Sequence, residues 1–174
     1  MLAPRKKLWS TPSEVVDKAI ELLAPGEADV VFDIGAGDGR FLVRCAETSN
    51  AARCIGVEID EARGKEAQQN IEASGVEAGR CQLVIGNALE QDYSSGTLFF
   101  LYLVPRGLRI ILPYLKALTH RIRVVTYMSP FPEEVKPTQT IKVNTANHAG
   151  SEWPLWLYEF GGGAVEIDEV ASAS

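Results

Sequence analysis

The chain has 174 residues, 46% of them hydrophobic and 23% charged, with a formal net charge of −6. That length and balance describe one globular domain able to bury a core and exclude a disordered chain. The longest apolar run, Leu98–Pro105, is strand-length and far short of the roughly 20 residues that span a bilayer. Lys and Arg cluster only at Arg5–Lys7 and Arg121/Arg123, so a nucleic-acid backbone is not an expected partner.

Residues 1–8 are basic, lack acids and contain no apolar secretory core. They are read as an N-terminal extension of a cytoplasmic protein, with a mitochondrial address as the alternative. Thr11-Pro12-Ser13-Glu14 predicts a helix start, with Thr11 capping, Pro12 in the first position and Glu14 reaching back. Val15/Val16, Ala19/Ile20 and Leu22/Leu23 recur at helical spacing until Pro25-Gly26. A buried strand over 30–34 then leads into a helix over about 39–47. Strand 53–58 is followed by a polar helix over about 61–73, and strand 81–85 precedes strand 97–103. A periodic helix over about 105–118, with Leu108, Ile111/Leu112, Leu115 and Leu118 on one face, leads to strand 122–128. Segments 138–144 and 155–160 read as two further strands with no helix between them. Residues 9–160 therefore form the expected domain, and the Gly/Ala/Ser-rich, acidic stretch 161–174 a flexible tail.

Short continuous apolar strands alternating with helices imply an α/β fold, a doubly wound, mostly parallel sheet of seven strands with an antiparallel terminal hairpin. Three scattered cysteines, Cys45, Cys54 and Cys81, lack CxxC spacing and neighbouring histidines. They are expected in the core, not in a disulfide framework or a metal site. His120 and His148 have the right pKa range for a general base, but neither has a visible partner, and both are read as structural or solvated.

The densest information lies in Val30–Arg40, VVFDIGAGDGR. A buried strand ends in Asp33 and runs into a turn carrying Gly35, Ala36, Gly37, Asp38 and Gly39. A helix follows, and Glu58 closes the next apolar run. Glycines let backbone approach a ligand closely, and free N–H groups at a helix start attract a negative group. A phosphate does not fit. The Gly-Lys-Ser/Thr ending of a P-loop is missing, and Arg40 stands where a dinucleotide fingerprint needs a small residue. Asp33 and Asp38 would repel a pyrophosphate. S-adenosylmethionine has no phosphate and carries a sulfonium, an ammonium and a carboxylate, which suits an acidic loop at one helix N-terminus. In doubly wound sheets the ligand lies beyond the C-terminal strand ends where the winding reverses, which gathers the Gly35 loop, Glu58, Asn87 and Tyr102 around one cleft.

This loop resembles the first motif of class I S-adenosylmethionine-dependent methyltransferases. The resemblance narrows at Leu8-Trp9-Ser10-Thr11-Pro12, at Phe32–Arg40 and at Leu101-Tyr102-Leu103-Val104-Pro105 before an apolar helix. These segments are similar to the lysine methyltransferases that act on the ATP synthase c-subunit and the adenine nucleotide translocase, and to their bacterial cousins. The resemblance implies that Trp9 and Thr11 close over the cofactor, Glu58 holds the ribose hydroxyls, Ile59 lies against adenine, and Asn87-Ala88 meets its amino group. Asn87 also fits a plain turn. Tyr102 and Pro105 would border the methyl group and substrate, in surroundings that favour a neutral amine because desolvation disfavours charge. The expected activity is methyl transfer to a protein lysine without a metal. A small-molecule acceptor and a non-catalytic cofactor-binding domain are the alternatives, and the oligomeric state is open. Trp153, Trp156 and Tyr158 are read as the edge of the closing hairpin, with a substrate rim as the other reading.

Overall fold

A computed structural model describes residues 10–146 and 152–161. The strands are β1 (Val30–Ile34), β2 (Arg53–Glu58), β3 (Cys81–Ile85), β4 (Leu98–Leu101), β5 (Ile122–Tyr127), β6 (Gln139–Asn144) and β7 (Glu152–Phe160). The helices are α1 (Ser13–Leu23), α2 (Arg40–Thr48), α3 (Glu61–Ser74) and α4 (Pro105–Lys116), with a 3-10 turn at Ala88–Glu90. One seven-stranded sheet has the order β3-β2-β1-β4-β5-β7-β6. Strands β1 to β5 are mutually parallel, and β7 runs antiparallel to both β5 and β6. The winding reverses between β1 and β4, so their loops splay apart there and leave a crevice.

Two apolar layers sandwich the sheet. On one face α1 and α2 cover Val31, Cys54, Phe100, Val125 and Tyr127. On the other α4, Tyr93 and Phe131 cover Phe32, Ile34, Ile55, Phe99 and Val124. The alternation of Phe99 and Phe100 between layers follows from the two-residue period of a strand. Phe100 stacks on Phe41 of α2 at 4.3 Å, and Phe99 on Phe32 at 5.5 Å, fixing α2 and β4 relative to β1 with large buried area. Cys45 and Cys54 are buried and Cys81 half-buried. Strand pairing sets Cys54 beside Cys81, and the Cys81 thiol donates to the Leu42 carbonyl at 3.6 Å.

Some boundaries and caps differ from expectation. Thr11 does not cap α1; Pro12 is the cap residue, and its carbonyl accepts the N–H groups of Val15 and Val16. Glu14 accepts the Ser13 hydroxyl at 3.1 Å and the Ala146 N–H at 2.9 Å. Strand β4 ends at Leu101, because Tyr102–Val104 leaves the sheet to pass over the Gly35 turn. The hairpin strand β7 begins at Glu152, earlier than its apolar run suggests, through pairing with β6. The expected N-terminal extension, Trp9, His148 and the tail beyond Gly161 lie outside the described residues. His120 is part-buried and bonds the Gly96 carbonyl at 2.7 Å, a structural role. Among the described residues no helix is long and apolar enough to cross a membrane.

Candidate active site

The glycine turn stands on β1 and opens α2. Gly35, Gly37 and Gly39 have φ of 88°, 59° and 78°. At Gly37 a side chain would also meet the Arg63 guanidinium at 3.2 Å, and at Gly39 the Cα and carbonyl oxygen of Ala67 at 3.4 Å. The turn therefore needs glycine for both conformation and space. Gly35 and Ala36 donate their N–H groups to the Val57 carbonyl, and Asn70 Nδ2 donates to the Asp38 carbonyl. Strand β2 and helix α3 thus hold the turn from two sides.

Glu58 ends β2 with only 6% of its surface exposed. One carboxylate oxygen accepts the Gly37 N–H at 2.8 Å and the other the Asp60 N–H at 2.9 Å. Each oxygen keeps a lone pair for a further donor, so the acid is oriented by backbone yet still able to accept hydroxyls. Ile59 beside it is 55% exposed, an apolar side chain left facing out. Across the cleft Asn87 caps the 3-10 turn: its Oδ1 accepts from Leu89 N–H, and its Nδ2 donates to Glu90. Its side-chain hydrogen bonds are those of the turn residue that was the alternative expectation. Ala88 follows, half-buried.

Asp33 has an unusual setting. It is 3% exposed, and its carboxylate has no hydrogen-bond partner among the described residues. Thr126 Oγ1 is the only fully buried side-chain polar atom there without a partner, so the Asp33 oxygens are not wholly sealed from solvent. Burial first, then the charges of Glu58, Cys45 and Asp38, push its carboxyl well above the usual range. A buried acid among acids lacks a cation. Asp38 has one: burial opposes its charge, but the hydrogen bonds and charge of Arg40 win, and its carboxyl sits below the usual range. The Arg40–Asp38 pair measures 2.6 Å, and Arg40 also donates to the Thr11 carbonyl at 3.0 Å. Thr11 is thereby buried beside the turn, next to a cleft of about 300 Å³ lined by Thr11, Ser13, Val16, Asp17, Arg40 and Arg44. A second cleft of about 290 Å³ lies at the opposite sheet edge, where Asp29 is consumed by Gly26 N–H and the Thr97 hydroxyl.

Beyond β4 the character changes. Tyr102 is half-buried, its ring 4.7 Å from that of Tyr127, which in turn lies 6.5 Å from Trp153. Trp153 donates through Nε1 to the Thr145 hydroxyl at 3.1 Å. Burial pushes the Tyr102 phenol up; burial and then Tyr102 do the same to Tyr127. Both phenols stay protonated at neutral pH. Pro105 is exposed and opens α4, with Val104 as the cap residue; it carries no group that moves a proton. Val104 and Met128 are exposed apolar residues beside these rings in sequence, 39% and 40% accessible.

The structure thus gathers Thr11, Asp33, Gly35–Gly39, Glu58 and Tyr102 at one edge of the sheet. Sequence reasoning overlooked Arg63 and Tyr127. Arg63 sits on the turn of α3 nearest Glu58, and its charge over Gly37 was traceable only to that spacing. Tyr127 ends an apolar strand and reads as core. The residues fit S-adenosylmethionine: a turn with room only for glycine approaches it closely, Glu58 has spare lone pairs for hydroxyls, and Asp33 lacks a cationic partner. A diphosphate fits badly beside three carboxylates.

A model of the ANTKMT methyltransferase domain matches residues 33–139, more than half of the chain. A protein-lysine N-methyltransferase of Saccharolobus islandicus (strain REY15A) is 36% identical over 152 residues, covering 87% of this chain and 91% of that protein. The crystal structure of an RNA methyltransferase from Salinibacter ruber, in complex with S-adenosyl-L-homocysteine, superposes with a TM-score of 0.77. It is 30% identical and covers 91% of this chain and 97% of its own. The B. subtilis M1A22 tRNA methyltransferase TrmK, 14% identical with a TM-score of 0.68 over 88% of this chain and 67% of its own, shares the fold.

Proposed function

The chain belongs to the ANTKMT methyltransferase family, and from that membership we propose that this S-adenosylmethionine-dependent methyltransferase modifies lysine side chains of proteins. The observation that carries the acceptor is the 36% identity to a protein-lysine N-methyltransferase along 91% of that protein. The two protonated tyrosines at the ends of β4 and β5 support it, because a desolvated aromatic wall disfavours the ammonium and favours the nucleophilic amine.

When bound, S-adenosylmethionine supplies a methyl group on a positively charged sulfur. The chain's own residues bind and orient. Glu58 accepts the ribose hydroxyls while the Gly37 and Asp60 N–H groups hold it still. The Gly35–Gly39 turn lies against the cofactor's amino-acid end, and Asp33 supplies the negative charge that its ammonium or sulfonium needs. Ile59 covers one face of the adenine, with Asn87 and Ala88 along its edge. Thr11, tied to Arg40, closes the cleft from above, with Trp9 before it. Tyr102 borders the methyl group, and the Pro105 helix start shapes the rim. Most of the rate enhancement comes from positioning and exclusion of water.

RNA is the rival acceptor, since the Salinibacter relative acts on it. A net charge of −6 counts against it. So do Arg121, paired with Glu159, and Arg123, donating to the Ala24 carbonyl. Purified protein given methyl-labelled cofactor and a cell lysate, fractionated into protein, RNA and small molecules, decides the matter. Acid hydrolysis should return label in methyl-lysine; label confined to RNA or small molecules contradicts the reading.

A further inference from the structure

Tyr127 closes β5 and packs as a phenylalanine would. Its residue is 3% exposed, with its ring against those of Tyr102 and Trp153. Its hydroxyl nevertheless has no hydrogen-bond partner among the described residues, and it is not among the fully buried unpaired atoms, of which Thr126 Oγ1 is the one there. The phenolic oxygen is therefore not wholly sealed from solvent. Buried tyrosine hydroxyls ordinarily find a protein partner, so an unpaired one is placed for a ligand.

Two further observations say where that hydroxyl stands. Thr126 pairs with Leu101, which sets Tyr127 beside Tyr102 at the sheet edge. The Tyr102 carbonyl oxygen lies 4.0 Å from where a side chain on Gly35 would begin, so Tyr127 stands one strand further from the cofactor turn. The backbone just after it is strained: Met128 has φ 65°, a region that bulky residues seldom enter. Its N–H donates to the Pro154 carbonyl at 3.3 Å. Strain of this kind gathers at functional sites.

We propose that Tyr127 is a positioning residue of the acceptor site, where its phenolic oxygen and that of Tyr102 receive the two N–H bonds of a neutral primary amine. The assignment rests on the lysine reading above. With both N–H bonds engaged, the lone pair points away from the tyrosines and is free for the methyl group. On transfer that pair becomes the new N–C bond, the C–S bonding pair stays with sulfur, and the surplus N–H proton leaves to water.

The test is Tyr127→Phe, which keeps the ring. Two measurements are made with full-length protein: affinity for S-adenosyl-L-homocysteine, and affinity of protein loaded with S-adenosyl-L-homocysteine for a fluorescein-labelled peptide library with one central lysine. Cofactor-product affinity should stay within about twofold. Peptide affinity should fall by about fivefold to tenfold, the loss of one hydrogen bond. Unchanged peptide affinity overturns the assignment while leaving the lysine reading intact. A wild-type enzyme that labels another acceptor and never lysine overturns both.

Discussion

Over β1 and β2 the strand ends carry charge and tightly turned backbone: Asp33, Gly37, Asp38 and Glu58, with Arg40 and Arg63 above them. Over β4, β5 and β7 they carry rings: Tyr102, Tyr127 and Trp153, beside exposed Val104 and Met128. The first region is made of groups whose geometry the backbone dictates, which suits the grip of one charged small molecule. The second is made of rings and apolar side chains, which suit an arm of another molecule. On the reading proposed above the first holds the methyl donor and the second the acceptor, and the winding reverses between them, at β1 and β4.

The comparison can be broken by changes confined to one region. Gly37→Arg combines a disfavoured φ with a clash at 3.2 Å, and calorimetry should show S-adenosyl-L-homocysteine binding weakened by about 1,000-fold or lost. Glu58→Ala removes the hydroxyl acceptor and leaves the Gly37 N–H unpaired. A drop in affinity of about 10- to 100-fold is expected, the loss of hydrogen bonds to a charged group. Tyr102→Phe belongs to the other region. Turnover should fall by about tenfold while cofactor affinity stays within about twofold; an equal loss of both would erase the division between the regions.

Asp33→Asn sharpens it from the stability side. The folded, cofactor-free protein holds the Asp33 proton more tightly than the unfolded chain does. The resulting stability is complete below the ordinary carboxyl value of 3.8 and is lost as pH rises through the raised folded value. Near neutral pH the substitution should therefore raise the melting temperature by about 2–4 °C, the shift expected of roughly 1 kcal/mol in a chain this size. The gain should shrink on acidification. Cofactor affinity should fall by severalfold in the variant. In the wild type it should rise with pH above the ordinary carboxyl range, as the acid ionises against a cation. A pH-independent wild type would mean that Asp33 meets no cationic part of the cofactor.

The same contrast governs how much was legible in the sequence. Strands β1, β2 and β3 fall on the expected residues because continuous apolar runs there are bounded by Gly, Asp and turn chemistry. The glycine turn was readable because positive φ restricts it to glycine and the acids flank it within one βαβ unit. The cluster of rings was not. Tyr127 and Trp153 approach Tyr102 only through the order β4-β5-β7, which no local pattern encodes, and each alone looks like core or hairpin edge. Thr11 misled because Thr-Pro-Ser-Glu fits a capping box, whereas its carbonyl is drawn to Arg40. Asn87 serves its own turn, the second of the two roles that its place after β3 allowed.

The most direct test is calorimetric titration of the purified chain with S-adenosyl-L-homocysteine and, separately, with NAD. One saturable site per chain for the thioether nucleoside and no heat from NAD is the expected result. Saturable binding of NAD, with none of S-adenosyl-L-homocysteine, would contradict the account at its root.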